Sequence, residues 1–301
     1  MQAAHPAATP PRTPLINLRR LSRRLIRVAI ITYLIICGIV YFEQDWLAFP
    51  GMTAQGKSET QIRYGGATQT LHFTTATGIP IAAVYSPADN PDGPTVLYFY
   101  GNAGSIASSQ GEFDQFRKLG CNVLIPDLAG YGASGGKPSE KNFYATADAA
   151  WNYLQSLPEI DKNKIIVVGW SMGAGVAVDL AARKPIAGLA TFNAFTNLPA
   201  MARKVMPLMP TGILLKYKFD NKSKMPVIRC PVFVCNGQLD ALVPPNMSDQ
   251  LAAFAGGPVT RLVVPTADHN SIFTAEPDTV WPALGQWIDK ITSEKASSSK
   301  H

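Results

Sequence analysis

Histidine and cysteine are scarce in this chain of 301 residues, with four of each. The cysteines, Cys37, Cys121, Cys230 and Cys235, have neither the paired spacing of a zinc site nor an even framework of bridges, so they are expected to be structural filler. Cys230 and Cys235 lie in one apolar run that reads as a strand. Their odd separation points them to opposite faces, too far apart for one disulfide. Acid is absent from the first 27 residues, which hold Arg12, Arg19, Arg20, Arg23, Arg24 and Arg27. With those six removed from the 27 bases, 21 remain against 21 acids, so the net charge of +6 belongs to the N-terminus and the rest of the chain is neutral. A nucleic-acid-binding domain needs a basic face on its folded part and is not expected here. At 47% hydrophobic, the chain is too apolar for disorder and long enough to bury a large core.

What is present begins directly after the arginines, with fifteen residues from Val28 to Phe42 that hold no charge and no proline. As a helix they cover about 22 Å, short of the roughly 30 Å hydrocarbon layer. Leu25, Ile26, a snorkelling Arg27 and the interfacial Tyr41 and Trp46 extend the segment enough to span. A cleavable secretory signal has an apolar core of this length, but no small-residue cleavage site follows in YFEQDWLAFPGMTAQG. Bulky Ile36 also makes Cys37 a poor lipidation site. The expectation is an uncleaved single-pass anchor. The arginines hold the N-terminus in the cytoplasm and send the rest to the periplasmic, extracellular or lumenal side.

From Leu71 onward, short apolar runs alternate with helix-length segments. Leu71 to Thr75 and Ile79 to Tyr85 flank a turn and read as an antiparallel pair. Thr95–Tyr100, Cys121–Pro126, Lys164–Val168, Gly188–Phe192, Pro231–Cys235 and Arg261–Val264 are apolar on both faces, as buried parallel strands are. Helices are expected at about Ala107–Leu119, Glu140–Leu157, Met172–Arg183, Pro245–Phe254 and Asp278–Thr292. The class is α/β, with a mostly parallel eight-stranded sheet flanked by helices and its chemistry at the carboxyl ends of the strands.

The strand KIIVV runs into Gly169-Trp170-Ser171-Met172-Gly173, followed by the helix-competent AGVAVDLAAR. The bare Gly-x-Ser-x-Gly pattern arises by chance in about one chain of this length in ten. Here a strand precedes it and a helix follows, the context in which a serine is thrust out on a strained turn as a nucleophile. That serine needs a base. His5 and His301 lie in the tails and His72 in the first strand, which leaves His269 on the loop after the last strand. A solvated loop histidine is the bland alternative. The orienting carboxylate is expected at Asp240, on the loop after PVFVC; Asp127 is the rival, and Asp268 is too close to the base to fold back on it. The oxyanion hole is expected from the backbone N–H of Met172 and of Asn102, in the turn YGNAGS.

These features together resemble the membrane-associated α/β-hydrolase-domain serine hydrolases, a group with lysophospholipid lipases and protein depalmitoylases, similar also to serine aminopeptidases. The carrying residues, within Leu71 to about Ile291, are YGNAGS, DLAGYGASGG, GWSMG, NGQLDALVP and ADHN. Two positions depart from the family, Tyr100 where it has His and Ala129 where it has Arg. The resemblance implies the α/β-hydrolase fold, the order Ser171, Asp240, His269, and no metal or organic cofactor.

Between the sixth and seventh strands, residues 196–229 occupy the position of a lid. They hold seven bases against the single acid Asp220, interleaved with Met201, Met206, Leu208, Met209, Ile213, Leu214 and Leu215. Such a stretch suits a membrane surface or an acyl-chain entrance, or else a small lid with solvated lysines. The expected division is a cytoplasmic basic tail (1–24), a transmembrane signal anchor (25–43), a linker (44–69), the hydrolase domain (70–293) and a disordered tail (294–301). The expected activity is cleavage of a small-molecule or lipid-like ester or thioester through an acyl-serine. A serine peptidase, or a non-catalytic binding protein on the same fold, stands as the alternative.

Overall fold

The computed structural model describes residues 18–56 and 68–298. Residues 1–17 of the expected basic tail, 57–67 of the expected linker and 299–301 of the expected C-terminal tail lie outside the described residues.

The chain begins with α1 (Leu18–Ala48), a proline-free run of 31 residues, about 46 Å at the α-helical rise. It is longer at both ends than the anchor expected over 25–43. Among the described residues it is the one helix long and apolar enough to cross a membrane. Most of its apolar side chains are exposed, Leu25, Leu34 and Phe42 among them.

The expected linker is not simply a connector. A 3-10 turn at Pro50–Ala54 follows α1, and Phe49 between them is fully buried in an aromatic cluster with Phe143, Tyr217 and Phe219. At Gly51 a Cβ would lie 2.4 Å from the Tyr131 ring, so the missing side chain lets the backbone press onto the domain.

The domain is built in chain order from β1 (Gln69–Thr74), β2 (Pro80–Ser86), β3 (Thr95–Phe99), α2 (Gln110–Lys118), β4 (Asn122–Pro126), α3 (Glu140–Ser156), β5 (Ile165–Trp170), α4 (Met172–Arg183) and β6 (Gly188–Phe192). The segment expected as a lid, residues 196–229, follows with α5 (Leu198–Val205), α6 (Thr211–Leu214) and α7 (Asn221–Lys224). The chain returns through β7 (Val232–Gly237), α8 (Pro245–Phe254), β8 (Val259–Val264) and α9 (Pro277–Ser298). The last helix passes the boundary set at 293 because Glu294, Lys295 and Ala296 are good helix formers.

The eight strands form one sheet in the order β1-β2-β4-β3-β5-β6-β7-β8. Strand β2 runs antiparallel to both neighbours, and every other pair is parallel. Strands β3, β4, β6 and β7 are buried throughout, which is why they read as continuous apolar runs. The edge strand β1 alternates, with Leu71 and Phe73 turned toward the domain and His72 exposed. The parallel register aligns the carboxyl ends of β5, β6, β7 and β8, and the loops that leave them carry Ser171, Asn193, Asp240 and His269.

Candidate active site

The turn from β5 to α4 is forced by close packing. A Cβ at position 169 would sit 2.4 Å from the Gly173 carbonyl oxygen, and one at 173 would sit 2.1 Å from that of Phe99, so only glycine fits on either side of Ser171. Ser171 itself has φ 53° and ψ −115°, a left-handed conformation unusual for a side-chain-bearing residue. Its N–H donates to the Phe192 carbonyl at 2.9 Å, which pins the turn to β6.

The three side chains singled out from the sequence meet in one hydrogen-bonded row. His269 Nε2 lies 2.9 Å from Ser171 Oγ, and His269 Nδ1 lies 2.7 Å from Asp240 Oδ2. The other carboxylate oxygen of Asp240 accepts from the N–H groups of Leu242 (2.9 Å) and Val243 (2.7 Å), which leaves Oδ2 for the imidazole. This geometry suits the tautomer with its proton on Nδ1 and a free lone pair on Nε2 facing the serine. All three residues are buried.

Two residues that support this row escaped the sequence reading. Asn193, buried with φ 47°, follows β6. Its Nδ2 donates to the His269 carbonyl at 2.9 Å, and its Oδ1 accepts from the Gly237 N–H at 2.9 Å, so one side chain ties the His269 loop to the strand that leads to Asp240. Trp170 Nε1 also donates to the His269 carbonyl (3.3 Å), with the indole packed against Phe273. The signal for Asn193 was a polar residue at the end of an apolar strand. Trp170 occupied the variable position of the motif, where no rule asked for it.

Asp127, the rival acid, lies elsewhere. Oδ1 accepts from the Tyr100 hydroxyl (3.0 Å) and the Ile106 N–H (2.8 Å), and Oδ2 accepts from the Ala133 N–H (2.8 Å). Burial raises its carboxyl above the usual range, and these donors partly offset that. Tyr100 therefore acts as a brace: its hydroxyl donates to Asp127 and accepts from the Leu128 N–H. Asp268 turns away from the imidazole ring, and the Ser271 hydroxyl at 2.6 Å holds its carboxyl below the usual range. Cys121 and Cys235 are buried, which pushes both thiols up to about 12 and leaves them inert. Among the described residues no cluster of His, Cys, Asp and Glu could hold a metal.

Beside the row lies a cavity of about 190 Å³. Asn102 and Met172 form one side, α5 and Leu215 of the lid another, and Val40, Gln44, Leu47 and Ala48 of α1 close it. No charged residue lines it. The Asn102 side chain is committed to structure: Nδ2 donates to the Ala48 carbonyl (2.7 Å), and Oδ1 accepts from the Tyr131 hydroxyl.

An eight-stranded sheet in this order, with a serine elbow and a histidine and an acid at the ends of later strands, defines a class, and sequence comparison agrees. A model of the alpha/beta hydrolase fold matches residues 94–213, and the chain belongs to the α/β-hydrolase family. An uncharacterised protein of Mycobacterium tuberculosis is 30% identical over 252 residues, 82% of this chain and 89% of that one. The alpha/beta hydrolase domain-containing protein WAV2 of Arabidopsis thaliana is 30% identical over 222 residues, 67% of this chain and 72% of that one. Among solved structures, the Pyrococcus furiosus esterase Pf2001 shares the fold with a TM-score of 0.64 at 22% identity, over 74% of this chain and 92% of that one.

Proposed function

We propose that this hydrolase is a membrane-anchored serine esterase or thioesterase that cleaves an acyl or lipid-like substrate through an acyl-Ser171 intermediate. The observation that carries the reading is the unbroken row Ser171–His269–Asp240 beside an uncharged cavity. His269 Nε2 takes the hydroxyl proton as Ser171 Oγ attacks the carbonyl carbon. The oxyanion of the tetrahedral intermediate is stabilised by the N–H groups of Met172 and Asn102. Collapse breaks the bond to the leaving oxygen or sulfur, which receives the proton from His269. Water, deprotonated by the same nitrogen, then attacks the acyl-serine, and the second collapse releases the acid and restores the hydroxyl. Asp240 holds the imidazole in the required tautomer throughout.

The cavity lining favours an acyl group over a peptide. An aminopeptidase must hold an α-ammonium, and no carboxylate lines this cavity. Reaction with a fluorophosphonate probe tests the nucleophile: wild-type protein becomes labelled and Ser171→Ala does not. Equal labelling of the two, or none of well-folded wild type, overturns the assignment. A panel of esters, thioesters and aminoacyl peptides separates the leaving groups.

Support for the anchor comes from the length and apolarity of α1 and from Arg19, Arg20, Arg23, Arg24 and Arg27 at its start. Arginines at the start of such a helix favour an N-terminus in the cytoplasm and a domain across the membrane. Protease added to the outside of intact cells or spheroplasts removes the domain and spares the N-terminal tail; the opposite pattern refutes this topology.

A further inference from the structure

The lid and α1 meet along a stripe rather than at a point. Tyr33, Cys37, Val40, Gln44 and Ala48 recur at the three- and four-residue spacing of one helix face. Each end of that face holds the lid or the oxyanion loop. The Tyr33 hydroxyl donates to the Leu208 carbonyl (2.8 Å), Cys37 Sγ lies 3.7 Å from Met209 Sδ, and Gln44 Oε1 accepts from the Lys216 N–H (2.6 Å). Tyr33 and Cys37 stand inside the uncharged segment 28–42 of α1. The lid tip is therefore level with the uncharged part of the helix, which the proposed anchor puts in the bilayer.

We infer that the lid tip, residues 205–215, is itself seated in the leaflet beside α1, and that the cavity takes a single acyl chain drawn laterally from that leaflet. This inference rests on the membrane and esterase readings above. Three apolar side chains of the tip face outward, Val205, Leu208 and Ile213, exposed by 65%, 84% and 90%. Arg203, Lys204, Lys216 and Lys218 flank them, where anionic headgroups would meet the protein.

Part of the tip backbone is already paired within the protein, as a medium without water demands of a polar group. Pro207 and Pro210 have no N–H to satisfy. The N–H groups of Met209, Thr211, Ile213, Leu214 and Leu215 all donate to lid carbonyls, at 2.8–3.1 Å. Along the helix axis about 12 Å separates Tyr41 from Tyr33, close to the roughly 5–10 Å to which interfacial segments insert. The cavity connects the two elements to the chemistry: Val40 and Leu47 of α1 face Met201 and Met206 of the lid, with Met172 beside the nucleophile. A chain that enters between α1 and the lid exchanges lipid contacts for these side chains and stays out of water.

The test places a nitroxide at Ile213→Cys, at Leu34→Cys and at His72→Cys, in full-length protein whose Cys37 and Cys230 are replaced, reconstituted in mixed phosphatidylcholine and phosphatidylglycerol vesicles. Relaxation by oxygen over a water-soluble nickel chelate is expected at positions 34 and 213, and the reverse at 72. A nickel preference at 34 removes the membrane reading and this inference with it. A nickel preference at 213 alone removes only the seating of the lid. The second arm is the double variant Leu208→Asp and Ile213→Asp. Its kcat/KM on a palmitoyl ester embedded in vesicles should fall about ten-fold or more, while that on a soluble acetyl ester stays within about two-fold. Equal changes on the two esters overturn the lateral route, and a normal rate of fluorophosphonate labelling certifies that the variant is folded. Wild type that labels with no probe and cleaves neither ester strikes the esterase reading, and the nitroxide at 213 still decides where the lid sits.

Discussion

The two sides of the cavity are made in different ways. On the chemical side, Ser171, Asn193, Asp240 and His269 leave neighbouring parallel strands, and each is fixed by hydrogen bonds over short, repeated geometry. On the receiving side, α1 and the lid lie 172 residues apart in sequence where Gln44 meets Lys216, and their contact is mostly apolar with a few polar pins. Under the proposed function, the first side determines which bond can break. The second determines which molecule arrives. Substitutions should therefore separate cleanly, with rate lost on one side and stability or chain-length preference lost on the other.

The sharpest break is Ser171→Ala, which removes the proposed nucleophile; kcat/KM for any ester should fall by about ten-thousand-fold or more, read from initial rates. Next is Phe49→Ala on the receiving side. Its ring is fully buried between α3 and the lid, and its loss should cost about 3–5 kcal/mol in denaturant unfolding of the detergent-solubilised chain. Folded Phe49→Ala should still react with fluorophosphonate, and loss of labelling in the folded variant would mean that the two sides are not separable. Asn193→Ala stands between them, because it leaves the Gly237 N–H unpaired and loosens the His269 loop. We expect a loss of about 1–3 kcal/mol in stability together with a fall in kcat at unchanged KM. The smallest effect is Gln44→Ala, which unpins Lys216 at a cost of about 1 kcal/mol by the same unfolding measurement.

The same division explains what could be read in advance. The eight strands were visible because both faces of the inner ones are covered, so burial writes itself as unbroken apolar runs such as TVLYF and NVLIP. The elbow was visible because two glycines are sterically compulsory around Ser171, and His269 followed from the shortage of histidines. Asn193 was not visible, since one asparagine after a strand is an ordinary loop residue until its two partners are in place. The seating of Phe49 and Gly51 was hidden for a deeper reason. Glycine marks both flexible joints and tight contacts, and only Tyr131, eighty residues on, distinguishes them. The lid was visible as a basic, apolar insertion, but its pairing with α1 depends on contacts no local pattern encodes.

The bond from Asn102 to the Ala48 carbonyl bears on the order of assembly. The helix and the Phe49–Gly51 turn after it are synthesised first, yet their partners at residues 102, 131, 143, 208, 216, 217 and 219 are made later, the last only after two thirds of the chain. Closing loops of that length is slow compared with local strand and helix formation. A sheet that has already gathered Ser171, Asp240 and His269 still lacks one wall of the neighbouring cavity until the first helix docks, so the cavity is complete only once α1 lies alongside the domain.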